Sequence, residues 1–154
     1  MENIKNINKG LKNFSETIEL IKNGWYLDAI KILKRLIKEY PNSDFIKDAL
    51  YNISLCYYET HQFKKAISNL KKIIKNYPDA PITESKFHNE HGKIIAKSYY
   101  LLINCYIGIK DIKQAVNIIP LIEKYNDSYV VKDNKKITYL QLAKKALSTY
   151  LMLI

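Results

Sequence analysis

Apolar residues recur along this chain at steps of three and four positions, and the whole pattern returns after 37 residues. The equivalent pairs are Ala29 and Ala66, Ile30 and Ile67, Leu33 and Leu70, Leu36 and Ile73, and Ile37 and Ile74. Steps of three and four place side chains on one face of an α-helix. A fixed period of about 20 to 50 residues indicates stacked copies of one supersecondary unit, because a single unit cannot bury its apolar face alone. The pattern therefore predicts a helical repeat with an extended binding surface.

Seven helices follow from this periodicity. They span about residues 3–23, 26–40, 44–60, 62–77, 94–107, 112–125 and 136–154. Gly24 ends the first helix, and Pro41 and Pro78 prevent continuation of the second and fourth. Pro120 lies inside the sixth helix and is expected to kink it, because proline lacks a backbone donor. No helix follows the seventh, which is therefore expected to cap the stack.

Residues 79–93 interrupt the repeat. The step between equivalent alanines grows from 37 to 49 residues across this segment, so about a dozen residues are inserted. Proline, glycine and asparagine predict a loop or a loosely helical extension here. Glu84, His88 and His91 would share one side of such a helix, near enough to hold a metal. Polar surface residues meet that spacing often by chance, so we predict no metal site and no cofactor.

The composition fits one folded helical domain, which we predict to cover residues 1–154. Apolar residues make up 47% of the chain and charged residues 26%, with four glycines and four prolines. This balance is typical of a folded helical protein and not of a disordered one. The predicted units span about residues 3–42, 43–79 and 94–127. No Gly-rich phosphate loop or nucleophile elbow is present, so we predict no catalytic residue.

The net charge of +10 raises the question of an anionic partner. The 25 basic residues include a single arginine, Arg35. Bidentate recognition of phosphate and guanine depends on arginine, whereas lysine acts as a flexible point charge. The composition therefore argues against nucleic acid as the main partner. Binding of RNA or of an anionic membrane surface is kept as an alternative function.

Two stretches of the chain share one order of small, aromatic and aliphatic positions. In the first these are Leu50, Ile53, Ser54, Tyr57, Phe63, Ala66, Leu70, Ile73 and Pro78. In the second they are Tyr99, Leu102, Ile103, Tyr106, Ile112, Ala115, Ile119 and Ile122. This order resembles the tetratricopeptide repeat, and the resemblance covers about residues 10–127. It implies an all-α, right-handed α-solenoid of about three helical hairpins plus a C-terminal capping helix.

In this family the first helix of each hairpin lines a concave groove that binds a partner. The corresponding positions are Asp48, Tyr51, Leu55, Tyr58 and Glu59 in the middle unit, and Lys97, Tyr100, Asn104, Ile107 and Gly108 in the third. Tyrosines at such positions supply rigid amphipathic anchors. Asn104 could hold a peptide backbone, and Lys97 a carboxylate. The alternative is that the tyrosines only pack beneath the terminal helix.

The second helix of each hairpin would then lie on the convex side, where basic residues recur. This convex basic stripe consists of Lys34, Arg35, Lys38, Lys71, Lys72 and Lys75. It could contact an anionic membrane peripherally or bind an acidic protein. The alternative is that it forms the solvated face of amphipathic helices.

The first hairpin allows two registers, which differ in the side chains that its first helix packs against the second. A turn of standard length places Asn13, Glu16 and Thr17 in packing positions and leaves Phe14 and Ile18 facing outward. A turn shorter by one residue buries the apolar stripe instead. We favour the shorter turn, because exposing a large apolar side chain costs about 2 kcal/mol. The alternative is that the stripe, which also contains three heptads, pairs with a second copy of itself in a homodimer.

The period of 37 residues and the Tyr-Pro-Asx sequences at residues 40–42 and 77–79 narrow the resemblance. They are similar to repeats of bacterial outer-membrane-assembly lipoproteins and Tol-Pal accessory proteins. By size and repeat number alone, the chain also resembles small three-repeat secretion chaperones. These resemblances imply a non-enzymatic scaffold or adaptor that binds a peptide or helix of a partner protein in its concave groove. A self-associating subunit is the remaining alternative, since residues 151–154 end the chain with apolar side chains.

The compartment is predicted from the cysteines and the N-terminal residues. Cys56 and Cys105 occupy one repeat position twice and are expected to be small buried residues, not a disulfide. Residues 1–12 are polar and charged, without the apolar core of a signal peptide. We therefore expect a cytoplasmic protein, or a periplasmic one if a leader has been removed.

Overall fold

The computed structural model describes residues 2–83 and 89–154, within which lie seven α-helices and three short strands. The helices are α1 (Glu2–Lys22), α2 (Tyr26–Glu39), α3 (Ile46–Glu59), α4 (Phe63–Asn76), α5 (Ile94–Gly108), α6 (Ile112–Ile122) and α7 (Tyr139–Leu153). The strands are β1 (Glu90–His91), β2 (Tyr129–Lys132) and β3 (Lys135–Thr138). The chain divides into two compact units, Met1–Asn69 and Leu70–Ile154.

One turn joins the two helices of each hairpin. The three turns, at residues 23–25, 60–62 and 109–111, have the same length. The second residue of each has a left-handed φ, which is +76° at Gly24, +57° at His61 and +62° at Lys110. The third residue of each donates its N–H to a carbonyl five residues earlier, at 2.7 to 2.9 Å. These bonds satisfy carbonyls at the helix end, as in a Schellman motif. The three hairpins therefore repeat in backbone as well as in sequence.

This equal turn length shows that the shorter turn predicted for the first hairpin is wrong. Thr17 is fully buried, while Ile18 remains exposed. The buried hydroxyl of Thr17 donates to the Phe14 carbonyl at 2.6 Å, which removes the cost of an unpaired polar group. Gly10 permits close packing, because a Cβ there would lie 3.3 Å from both Phe45 and Tyr40. The standard register therefore buries Thr17 and leaves Ile18 facing outward, but it is met only in part: Glu16 is exposed, and the half-buried Phe14 ring stacks on Phe45 with 5.5 Å between centroids.

The alanine that recurs once in each hairpin lies in the core. Ala29, Ala66 and Ala115 are each fully buried on the second helix of their hairpin. The large residues four places later, Leu33 and Leu70, are also fully buried. Of the positions that the period of 37 residues aligns, Ala29, Leu33, Leu36 and their equivalents are fully buried, whereas Ile37, Ile67 and Ile74 are half-buried.

A small antiparallel sheet with strand order β1-β2-β3 occupies part of the second unit. Its β2–β3 hairpin turns at Asp133 and Asn134, which both have left-handed φ values, as a type I′ turn requires. β1 comes from the predicted loop at 79–93, and Glu90 pairs with Val130. Neither strand pair was predicted from the sequence. The last helix was predicted to begin at residue 136, whereas residues 135–138 form β3 and Thr138 caps α7.

Backbone hydrogen bonds hold both described ends of the insertion. Ile82 donates its N–H to the Gly92 carbonyl at 2.8 Å, and Ile94 donates to the Ala80 carbonyl at 3.0 Å. Pro81 and Lys93 form an isolated antiparallel bridge between them. Glu84 and His88 of the metal hypothesis lie outside the described residues, and the ring of His91 packs on Tyr129 with 4.9 Å between centroids.

Candidate protein-binding cleft

An open cleft of about 470 Å³ lies between α5 and α7 in the second unit. Tyr100, Asn104 and Ile107 of α5 line one wall. They follow one another at steps of four and three, so they share a helix face. These three are among the groove residues predicted from the sequence. The structure places them on one surface within a single compact unit.

The α5 wall is held in a defined geometry. Asn104 donates its Nδ2–H to the Tyr100 carbonyl at 2.9 Å, which fixes the orientation of the amide. Tyr100 packs against Tyr139, with ring centroids 6.2 Å apart. This contact partly agrees with the alternative in which tyrosines pack beneath the terminal helix. Tyr100 is nevertheless only half-buried and lines the cleft.

The opposite wall comes from α7, which the repeat pattern predicted only as a cap of the stack. Its lining residues are Leu142, Lys145, Ala146, Thr149, Tyr150 and Leu153. The other face of the helix buries Ala143 and Leu147. The six lining residues recur at helical spacing, which is the signal that could have identified them.

The N-terminus of α7 is anchored by a capping box. Thr138 accepts from the Gln141 N–H at 3.1 Å, and the Gln141 side chain accepts from the Thr138 N–H at 2.9 Å. Each bond satisfies a backbone donor that the helix leaves unpaired. The wall therefore begins at a fixed point next to β3.

The lining residues of the cleft include one charged side chain, that of Lys145. Neither α5 nor α7 contains an aspartate or glutamate, whereas α7 carries Lys144 and Lys145. Lys144 approaches Glu123 at 3.8 Å. Lys145 is exposed, lines the cleft and forms no ion pair within the described residues. A carboxylate on a ligand could therefore pair with Lys145.

Lys97, another predicted groove residue, is positioned differently. It is 8% exposed, and its Nζ lies 3.2 Å from Glu90 Oε2. The Tyr139 hydroxyl donates to Glu90 Oε1 at 2.9 Å. The ammonium group of Lys97 thus binds β1 to α5, and Glu90 also connects β1 to α7. This ion pair holds the cleft wall in position. We therefore do not propose that Lys97 contacts a ligand.

The predicted groove residues of the middle unit lie on α3, in the first unit. Tyr51, Leu55 and Tyr58 are half-buried and Glu59 is exposed. Asp48 pairs with Lys47 at 3.3 Å. The Tyr58 ring packs on Phe63 with 5.7 Å between centroids. Their role in binding stays a prediction.

All six residues of the convex basic stripe are exposed, three on α2 and three on α4. Lys34 Nζ lies 6.0 Å from the centre of the Tyr57 ring. The exposure fits both a solvated face and an anion-binding face, so the role of the stripe also stays a prediction.

Both cysteines are fully buried, and burial raises the pKa of the Cys56 and Cys105 thiols to about 12. The charge of Glu59 adds to this effect at Cys56. A raised pKa favours the neutral thiol, so the reactive thiolate fraction at pH 8 is on the order of 10⁻⁴.

We therefore expect both thiols to react with Ellman's reagent at pH 8 at least about 100-fold more slowly in the folded chain than in guanidinium. Absorbance at the colour maximum of the released thiolate follows the reaction. Rapid titration of either thiol in the folded chain would contradict this burial.

Comparisons with known structures identify the fold. The tetratricopeptide repeat domain of Sgt2 from Aspergillus fumigatus is 16% identical, with a TM-score of 0.62 over 94% of this chain and 78% of that one. MamA from Desulfovibrio magneticus RS-1 is 18% identical, with a TM-score of 0.59 over 94% and 72%. The tetratricopeptide repeat domain of P58(IPK) is 15% identical, with a TM-score of 0.63 over 99% and 35%. The protein is thus an all-α helical repeat of the tetratricopeptide class.

The sequence profile of the YfiO family, described as outer membrane lipoprotein, matches residues 9–152. The chain belongs to this family. No curated protein sequence matches it. None of the helices in the described residues is long and apolar enough to cross a membrane.

Proposed function

We propose that this protein is a non-enzymatic scaffold that holds an extended or helical segment of a partner protein in the cleft between α5 and α7. The observation that carries the proposal is the cleft itself, in which Tyr100, Asn104 and Ile107 face residues of α7. Helical repeats of this class bind protein partners, and family membership supports the same general role.

The lining favours a ligand with an apolar side chain next to a carboxylate. Ile107, Leu142 and Ala146 offer aliphatic surface, and Tyr100 and Tyr150 add aromatic rings. Aromatic rings lose little conformational freedom on binding, which is why they are enriched at interface hot spots. Lys145 supplies the single cation among the lining residues. An acidic side chain or a C-terminal carboxylate would satisfy it.

The family description suggests a site of action at the outer membrane of a bacterial envelope. This differs from the cytoplasmic location expected from the first residues. We propose that the protein acts on the periplasmic side of that membrane, where its cleft would hold a segment of an envelope protein.

The experiment is a binding assay on an array of random 12-residue peptides, followed by fluorescence anisotropy with the strongest binder. We expect Tyr100→Ala and Tyr150→Ala each to weaken binding about tenfold or more, as loss of a hot-spot residue does. Tyr26→Ala, which changes a half-buried tyrosine at the start of α2, is the matched control and should leave the affinity unchanged.

Two lysine variants provide a second test of the cleft in the same assay. Lys145→Ala should weaken binding of a carboxylate-bearing peptide, whereas Lys113→Ala on the exposed side of α6 should not. Thermal melts confirm that each variant is folded. Equal losses from Tyr26→Ala and Tyr150→Ala would overturn the cleft as the binding site. A steep loss of affinity with salt would instead support the convex basic stripe.

A further inference from the structure

We propose that the lysine-covered side of α4 is a docking surface for an anionic lipid bilayer. This α4 lysine face consists of Lys64, Lys65, Lys71, Lys72 and Lys75, all of which are exposed. The helix carries these five cations and no aspartate or glutamate. The face shares no residue with the cleft between α5 and α7, so this proposal does not depend on the function proposed for the cleft.

The five lysines lie side by side on the helix. At 3.6 residues per turn they fall within an arc of about 120°, and Ser68 is the only other residue inside that arc. The opposite side of the helix buries Ala66, Leu70 and Ile73. At about 1.5 Å of rise per residue, the first and the last lysine are separated by about 17 Å along the helix axis. The result is a strip of the surface on which every charge is positive.

The protein does not neutralise this charge with its own acids. Lys65 contacts only neutral groups, since its Nζ lies 2.8 Å from Gln62 Oε1 and 5.5 Å from the centre of the Tyr57 ring. The other four lysines form no ion pair within residues 2–83 and 89–154. The helices α1 and α2 are also rich in basic residues, but α1 contains three glutamates and α2 contains one aspartate and one glutamate. Like charges on one helix face repel each other, and an external anionic surface would relieve that repulsion.

The residue types on the face favour a lipid surface over a protein or RNA. Protein interfaces centre on aromatic, aliphatic or arginine anchors and are depleted of lysine. Helix α4 exposes no large apolar side chain, because Ile67 and Ile74 are half-buried and its other aliphatic residues are buried. RNA recognition adds aromatic stacking or bidentate arginine contacts, and the face contains neither group. An anionic bilayer attracts clustered lysines through charge density alone, so it requires no further anchor.

Co-sedimentation of the full chain with sucrose-loaded vesicles tests the proposal. The vesicles are phosphatidylcholine with or without about 30% phosphatidylglycerol, which supplies the anionic charge. Each lysine near such a surface strengthens binding about fivefold, so half of the chain should sediment at about 0.1 to 1 mM anionic lipid at low salt. Binding should disappear at about 1 M NaCl, where the screening length is about 3 Å.

Charge-matched variants locate the binding face. The test variant combines Lys71→Gln, Lys72→Gln and Lys75→Gln, and it should need about 100-fold more lipid for the same binding. The control removes the same charge from one exposed side of α1, through Lys5→Gln, Lys9→Gln and Lys12→Gln, and should need less than about fivefold more. Arginine at the same three positions of α4 should preserve binding, because the bilayer responds to charge and not to side-chain shape. Thermal melts confirm that each variant is folded.

Four results would overturn the proposal. These are equal binding to vesicles of phosphatidylcholine alone, equal losses from the α4 and α1 variants, binding that survives high salt, and loss of binding in the arginine variant. RNA and acidic protein are tested in the same format with oligouridine and polyglutamate. Tighter binding of either polymer than of vesicles, lost in the α4 glutamine variant, would assign the face to that class of anion instead.

Discussion

Replacing Gly92 with alanine should destabilise the second unit by about 3 to 5 kcal/mol, through overpacking together with backbone strain. The φ of Gly92 is +109°, which an L side chain rarely adopts. An added Cβ would also lie 2.5 Å from the Cα of Ser128, a backbone atom that cannot turn aside. Guanidinium denaturation followed by circular dichroism measures the loss.

The effect should reach the cleft, because Gly92 and Ser128 form the joint between the insertion and α7. The Ser128 hydroxyl accepts from the Lys93 N–H at 3.0 Å, and its carbonyl accepts from the Tyr139 N–H at 3.2 Å. Displacing Ser128 therefore moves the start of α7. We expect Gly92→Ala to weaken peptide binding as well as stability.

Gly24 provides the matched control. Its φ of +76° is also left-handed, but a Cβ there would meet nothing within 4 Å. His61 and Lys110 occupy the same turn position in the other hairpins with side chains. Gly24→Ala should cost only about 1 kcal/mol, the price of the left-handed conformation. Equal losses at the two glycines would contradict the close approach at Ser128.

Leu33→Ala should lower the free energy of unfolding by about 2 to 5 kcal/mol, since it removes a large side chain from a tightly packed site. Leu33 is fully buried on α2 at one of the positions that recur with the 37-residue period. Leu27 lies on the same helix but is 62% exposed. Leu27→Ala should change stability by less than about 0.5 kcal/mol.

The same denaturation experiment compares the two leucines without a change of residue type or helix. Similar losses at Leu27 and Leu33 would mean that the period does not mark the core. A large loss at Leu33 alone would support the assignment of the repeat from spacing.

Helix positions could be predicted from the sequence because each helix buries a face through local spacing. Ala29, Ala66 and Ala115 show this most clearly, since the alignment alone identified them and all three are fully buried. The helix ends were also close to those observed. Glycine and proline act on the backbone locally, so their effect does not depend on distant contacts.

The register of the first hairpin could not be predicted by the same argument. Counting exposed apolar side chains favoured a shorter turn, yet the turn kept its length and Thr17 became buried. Two local features compensate for this: the hydroxyl bonds to a carbonyl of its own helix, and Gly10 allows close packing.

The sheet and the α7 wall were missed for a different reason. Lys97 and Glu90 lie seven residues apart, but Tyr139 bonds to Glu90 across 49 residues, and no local pattern reports such a pairing. The Asp133-Asn134 turn between β-branched residues was a readable hairpin signal. This hairpin was not predicted because residues from 136 onward were assigned to the last helix.

The central claim is that a partner segment binds between α5 and α7, and amide NMR spectra test it most directly. The ¹⁵N-labelled chain is titrated with the array-selected peptide, and shifts are mapped by residue. We predict that the largest shifts fall on Tyr100, Asn104, Ala146, Thr149 and Tyr150. Largest shifts on the lysines of α2 and α4, with the cleft unchanged, would contradict the account.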